Sequence, residues 1–373
     1  MEKTKGWLVA LLCALGIAVS VLTYGPALSY SARGINDFRG IYPGARLVGS
    51  SRLYDPQAVL AIQIETTGRP ARELPYSRLP YFALLISPLG HLPYLTAYWI
   101  WQGLCLAAAI AFALLWEAPG RKAVVLATCG SVPLFGALAI AQDIPLLLAT
   151  IAVSTYLGRR NRWFLAGVVL ALCAAKIHLF LLIPVLIFGR RMWRFGAGLL
   201  TGGGVLFALS FLGGGAHWVR AYLTYLTRPM ANPNADEMPN LHGIVGDLAW
   251  NMRMELILAA AVALLVWFAV RNSRFEYAFA ATMTGCLLVS HHAYMADCAL
   301  LMPGLLTIAA QADDKWLRWF AVFLLTPICY VIMFTDSGVW ITRAAIVLLL
   351  IALVWAARRY RVEAATAPAA PAS

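Results

Sequence analysis

The sequence predicts an all-α polytopic membrane protein, from its composition and from where its charges fall. Of 373 residues, 61% are hydrophobic and 12% charged. A soluble domain carries roughly 25% charged residues, so this chain has too few to coat a water-facing surface. The apolar residues form long unbroken runs, at 7–24, 94–116 and 123–142 for example, separated by short basic clusters. A bilayer core about 30 Å thick needs about 20 apolar residues per helix. In lipid only helices and closed barrels satisfy their own backbone. These runs are continuously apolar rather than alternating, which excludes a barrel.

The seven cysteines, Cys13, Cys105, Cys129, Cys173, Cys286, Cys298 and Cys329, all lie in apolar runs without CxxC spacing. They read as small buried hydrophobes, not as disulfides or metal ligands. The net charge of +12 points to positively charged inner loops rather than to nucleic acid.

The elements follow in order. Lys3 and Lys5 precede the first run. That run is long, and Ala27-Leu28-Ser29 is a poor cleavage site, so a retained first helix is expected. With the lysines inside, the second helix returns to Arg121-Lys122. A hairpin turning outside at Gln142 then ends at Arg159, Arg160 and Arg162. The next inner cluster is Arg190, Arg191 and Arg194, and only the apolar residues 163–188 lie between. Two full crossings need about 40 residues. The centre of this stretch is Lys176-Ile177-His178, with Pro184 beyond it. A pair of short arms, breaking near Lys176 and lining a polar cavity, resolves the conflict.

Residues 195–212 then go out, 254–270 return to Arg271 and Arg274, and 275–290 go out to His291-His292. A helix through Asp297 comes back to Asp313, Asp314 and Lys315, and a last hairpin, 319–334 and 341–357, ends at Arg358, Arg359 and Arg361. This gives ten to twelve membrane segments in one domain, 1–360, with both termini cytoplasmic. The short inner segments hold 17 of the 29 basic residues, the bias that sets orientation. The Ala/Pro-rich tail 361–373 reads as disordered. No internal repeat is visible, which weighs against a symmetric transporter.

Two outer loops are longer than connection requires. The first, 25–92, holds Asp37, Asp55, Glu65 and Glu73 with Arg33, Arg39, Arg46, Arg52, Arg69, Arg72 and Arg78. Within it, 41–64 mixes apolar and basic residues, as an interfacial helix would. Most of the arginines read as a solvated face toward lipid headgroups. Residues 79–93, punctuated by Pro80, Pro88 and Pro93, read as a short helix entering the membrane. The second loop, 213–251, carries His217, Arg220, Arg228, Asp236, Glu237 and His242 in no diagnostic spacing. Solvation is their default reading.

From about residue 30 to about 310, the chain resembles glycosyltransferase family 87. The pieces are Asn36-Asp37-Phe38, Tyr42 and Ala45-Arg46, then Leu53-Tyr54-Asp55-Pro56, and Tyr76 to Phe82 leading to Ser87-Pro88-Leu89. Gln142, Lys176 and His291-His292 complete the set. Two places depart from the family pattern. Ser77-Arg78-Leu79-Pro80 replaces paired prolines, and Ile177 stands where a proline follows the lysine.

The resemblance implies a GT-C-type fold in a cell membrane and an extracytoplasmic active site. It also implies transfer of a hexose, by family analogy mannose, from a polyprenyl-phosphate-sugar to a lipid or glycan acceptor. Membrane lipids are then the surroundings, and nucleic acid is not a partner. Asp37 takes the general-base place, since an inverting transfer needs a carboxylate within reach of the acceptor hydroxyl. It otherwise reads as a loop aspartate beside Arg33 or Arg39. An ammonium among apolar residues is costly and is functional or paired. Lys176 therefore holds the donor phosphate, snorkels to the interface or pairs with a carboxylate such as Asp297. His178, His291, His292 and Arg343 are further phosphate-binding candidates, Arg343 alternatively pairing with Asp336. Gln142, Tyr76, Arg78 and Asp297 are candidate substrate-binding residues. Asp143, before Ile144-Pro145, reads as a structural N-cap.

There is no Asp-x-Asp and no glycine-rich phosphate loop, and His291-His292 alone are too few ligands for zinc. No cofactor and no metal are therefore expected. The rival readings are a secondary transporter or lipid flippase, and a lipid-linked glycan ligase or polymerase.

Overall fold

The computed structural model describes residues 2–68, 74–227, 235–248, 251–271, 273–332, 335 and 338–359. The tail 361–373, Arg69, Arg72, Glu73, Arg228, Phe334 and Asp336 lie outside the described residues. Among those described, the protein is all helical. Six helices are long and apolar enough to cross a membrane, and a seventh candidate is a pair bent by 57°. The chain is thus a multi-pass membrane protein of all-α class.

The first long helix, α1 (Glu2–Ser31), packs on α6 (Arg121–Gly130) and α7 (Val132–Ala139). Its remaining surface is apolar and exposed, with Trp7, Leu15 and Leu22 facing outward, as a lipid-facing helix requires. Helix α5 (Tyr94–Leu115) packs on α8 (Ile144–Arg159). The expected straight crossing over 123–142 is instead the bent α6–α7 pair. Ser131 Oγ accepts from Leu134 N at 3.2 Å and Pro133 sits in the new first turn, so a second helix starts there.

The expected break at Lys176 is present. Helix α9 (Trp163–Leu170) continues into a 3-10 stretch, Ala171–Phe180, in which Lys176 is non-helical at φ −127°, ψ 60°. Helix α10 (Ile183–Arg190) then leads back to the basic end, the end of the bundle where Arg159, Arg190 and Arg194 gather around one cavity. The arm is held by α11 (Trp193–Gly214) through glycines. A Cβ on Gly198 would collide with the Phe164 carbonyl, and one on Gly167 with the Phe195 carbonyl. The two main chains touch, as small residues permit between membrane helices.

The remaining long helices are α14 (Met252–Val270) and α19 (Gly338–Arg359), both packed on α15 (Phe275–Val289). A second 3-10 stretch, Met295–Leu301, runs into α16 (Met302–Gln311). The expected crossing over 319–334 is two short helices, Lys315–Leu324 and Ile328–Val331, interrupted at Pro327, which lacks an amide hydrogen to continue the first.

The first long loop differs most from expectation. No single interfacial helix spans 41–64. A helix at Phe38–Leu47 ends before Gly49, whose φ of +77° suits glycine. A second, Pro56–Thr67, starts where Asp55 accepts from Gln57 N at 3.0 Å. The first of these is buried along Phe38 to Ala45 rather than lying on a surface. Residues 79–93 do form a short helix, Pro80–Ile86, with a 3-10 turn after it. Among the arginines, Arg33 is exposed, while Arg46 and Arg52 pair with Glu65 and Asp55. Arg39 and Arg78 are not on the solvated face: Arg39 is buried, and Arg78 is turned inward.

Candidate active site

The loop after α1 is fixed by aromatic packing. Phe38 is fully buried against the rings of Tyr42, Tyr94, Tyr98 and Trp101, with centroids 5.6–5.9 Å away. Tyr94 donates to the Gly34 carbonyl at 2.6 Å, and Tyr42 to that of Leu92 at 2.8 Å. Asp37, next to this anchor, donates its amide to the Ile140 carbonyl at 3.2 Å. That bond joins it to the turn between α7 and α8. The turn is sharp because Ala141 has a left-handed φ of 58°. Trp101 Nε1 donates to the Ala141 carbonyl at 3.0 Å and keeps the turn in place.

From this turn Gln142 connects the loop aspartate to the broken arm. Its amide nitrogen donates to Asp37 Oδ2. Its oxygen accepts from Lys176 Nζ at 2.8 Å and from Arg78 Nη2 at 3.3 Å. Arg78 also forms a two-pronged pair with Asp143, Nε to Oδ2 and Nη2 to Oδ1 at 3.0 Å each. Lys176 Nζ lies 2.9 Å from Asp297 Oδ1 and 3.5 Å from Asp143 Oδ1. Asp297 Oδ2 in turn accepts from the Tyr294 amide at 2.8 Å. Lys176, Asp143 and Asp297 are all nearly inaccessible, so these charges persist only because they neutralise one another.

Three carboxylates face two cations here, and they are not equivalent. Asp143 and Asp297 each touch a cation, whereas no cation lies within pairing distance of Asp37 among the described residues. Asp37 is also partly exposed. Burial raises its pKa above the usual carboxylate range, while the Gln142 hydrogen bond and the charges of Arg78 and Lys176 work the other way. For Arg78 burial opposes the charge, but Asp143 outweighs it and the guanidinium pKa rises. The result is one carboxylate able to take a proton, beside two fixed positive charges.

The predicted residues thus fall into two groups. Asp37, Gln142, Arg78, Lys176 and Asp297 form one connected network. Lys176 pairs with Asp297, one of its expected readings, and also reaches Asp37 through the side chain of Gln142. His178 and His292 lie beside the network, ring to ring at 5.9 Å. His178 Nε2 is buried without a hydrogen-bond partner, and burial pushes the His292 imidazole down to about 4.

The other predicted residues stand apart. Tyr76 is buried among Leu53, Tyr54 and Tyr225, in space left by Gly44, with its hydroxyl on the Leu79 carbonyl at 3.2 Å. His291 turns away from His292, toward Glu255 at 3.0 Å. Arg343 is fully buried and outside the network. It donates to the carbonyls of Met238 at 2.9 Å and Asp236 at 2.7 Å, and pairs with Asp247 at 2.6 Å. It secures the second long loop.

Asp143 departs from its expected capping role in one respect. It stands at the N-cap position of α8, yet its side chain makes no capping hydrogen bond because Arg78 claims both oxygens. A cavity of about 990 Å³ opens elsewhere, at the basic end, lined by Trp163, Arg159, Arg190, Arg194 and Phe275. It holds none of the converging carboxylates.

No curated protein and no solved structure matches the chain. The model of glycosyltransferase family 87 matches residues 80–291, more than half of the 373 residues. That stretch contains Gln142, Asp143, Lys176, His178 and His291, while Asp37, Arg78, His292 and Asp297 join them in space from outside it. The chain belongs to glycosyltransferase family 87 and is a membrane glycosyltransferase.

Proposed function

We propose that the protein transfers a hexose, with mannose the first choice, from a polyprenyl-phosphate-sugar to a lipid or glycan acceptor. In this reading the loop end faces the extracytoplasmic side of the cell membrane and the basic end faces the cytoplasm. One observation carries it. Asp37, the carboxylate without a cation, is tied through Gln142 to Lys176 and Arg78.

A transfer with inversion follows from that arrangement. Asp37 takes the proton of the acceptor hydroxyl as its oxygen bonds to the anomeric carbon. The bond from that carbon to the phosphate oxygen breaks, and its electron pair leaves with the polyprenyl phosphate. Fixed positive charge lowers the barrier where negative charge grows. Lys176 supplies it by exchanging its longest contact, 3.5 Å to Asp143, for a phosphate oxygen. His178, with its unpartnered nitrogen, adds a neutral donor or acceptor. The transfer step then needs no metal or cofactor.

The test is Asp37→Asn in purified full-length protein supplied with a panel of radiolabelled polyprenyl-phosphate sugars. The wild type should use one sugar of the panel, and the variant should lose transfer while remaining monodisperse. Turnover retained by the variant removes Asp37 from the role. Lipid flipping in proteoliposomes without sugar transfer would replace the whole reading. Use only of a larger lipid-linked glycan would make the protein a ligase or polymerase.

A further inference from the structure

Outside the transfer network, three elements bring two imidazoles and a carboxylate together. His242 lies on α13 (Leu241–Asp247) in the second long loop, Glu255 in the first turn of α14, and His291 just after α15. His242 Nδ1 is 2.9 Å from Glu255 Oε2, and His291 Nδ1 is 3.0 Å from Glu255 Oε1. The two rings are 4.1 Å apart, and one ligand atom from each residue falls within 4.8 Å of the others.

We propose that His242, Glu255 and His291 form a divalent-cation site that takes zinc or a similarly nitrogen-preferring ion. Two neutral imidazoles and one carboxylate are a zinc donor set that leaves a fourth position open. Metal–ligand distances near 2.0–2.2 Å set tetrahedral ligands about 3.3 Å apart, so the two imidazole–carboxylate contacts widen by a few tenths of an ångström while the widest of the three pairs, within 4.8 Å, closes in. Each imidazole would ligate through the Nδ1 that now faces Glu255, as the neutral tautomer with its one proton on Nε2. Hard oxygen-seeking ions such as Mg²⁺ and Ca²⁺ are poorly served by this set.

The open position has an outlet. Glu255 and His242 are largely covered, but the His291 side chain is half exposed, leaving room for water or an anionic oxygen. The site also has a structural consequence. It ties the second long loop to the segment whose next residue, His292, packs against His178 beside Lys176. The adjacent histidines alone are too few for a metal; the other ligands, His242 and Glu255, lie 49 and 36 positions before His291.

This proposal goes beyond the transferase reading, and its readout is metal content rather than transfer. Full-length protein without a histidine tag, in detergent micelles, is loaded with Zn²⁺, desalted and analysed by elemental mass spectrometry. About one zinc per chain should remain in the presence of excess Mg²⁺ or Ca²⁺. Glu255→Gln and His291→Ala should each lose it, whereas His217→Ala, in the same loop but outside the cluster, should keep it. Zinc should also slow amide exchange of Leu241–Asp247 in the wild type only. Far less than one ion retained by folded wild type, or wild-type retention in both variants, overturns the proposal. If Glu255→Gln does not fold, His291→Ala decides, because its side chain is half exposed and its loss leaves the packing intact.

Discussion

Replacing Arg343 by lysine is expected to loosen the second long loop while leaving the bundle standing. The guanidinium is 1% exposed and uses its fork on two backbone carbonyls, Met238 and Asp236, as well as on the Asp247 carboxylate. A lysine keeps the charge and can still reach one partner, but it has no planar fork to serve all three. If the ammonium stays with Asp247, two carbonyls lose a charged donor. At about 1.5 kcal/mol each, the loop loses about 3 kcal/mol, roughly a hundredfold in its opening equilibrium. The amides to follow by hydrogen-exchange mass spectrometry are Gly243, Ile244 and Leu248, bonded to Asn240 Oδ1, the Asn240 carbonyl and the Ile244 carbonyl. Their exchange should accelerate by about that factor, and that of α14 and α15 should not change. Equal exchange in variant and wild type would mean that Arg343 does not hold this loop, and the account of its burial would fail.

Asp37 must be ionised to act as a base, and its pKa is raised, so transfer should fall on the acid side of neutrality earlier than an ordinary aspartate would require. Gln142→Ala removes a hydrogen bond that lowers this pKa; the acid limb of its pH–rate profile should move to higher pH, and an unmoved limb would exclude Asp37 as the titrating group. Lys176→Met leaves two buried carboxylates facing each other and should cost about 3–5 kcal/mol, read as loss of monodisperse protein on heating. Asp297→Asn added to it should recover part of that loss, and strictly additive losses would mean the pair is not coupled. Gly198→Val pushes a side chain into the Phe164 carbonyl and should abolish folded yield, whereas Gly203→Val, with open space around its Cα, should be tolerated.

What could be read from the sequence depended on how far apart the partners lie along the chain. The broken arm was legible because length and charge conflict within one short stretch: too few residues for two crossings, and a lysine at their centre. The role proposed for Asp37 rests on family resemblance, and its buried neighbour Phe38 shows how the aspartate is held in place. Asp143 was misread because Asp-Ile-Pro is a strong helix-start pattern, and nothing local reveals an arginine 65 residues earlier that competes for the carboxylate. Arg343 reads from the sequence as binding phosphate or pairing with the nearest acid, Asp336, whereas its partners among the described residues lie about a hundred positions upstream. The bends at Ser131 and Pro327 also escaped a count based on hydropathy, because a kinked run and a straight one have the same composition.

The glycine contact between α9 and α11 limits how this enzyme can move. Helices separated by side chains adjust by small sliding shifts as rotamers change. Here that lubricating layer is missing, because carbonyl oxygens of one helix rest in the space left by glycines of the other. Lys176 therefore stands on a fixed post, and any give needed to admit a substrate has to come from the loops rather than from this helix pair.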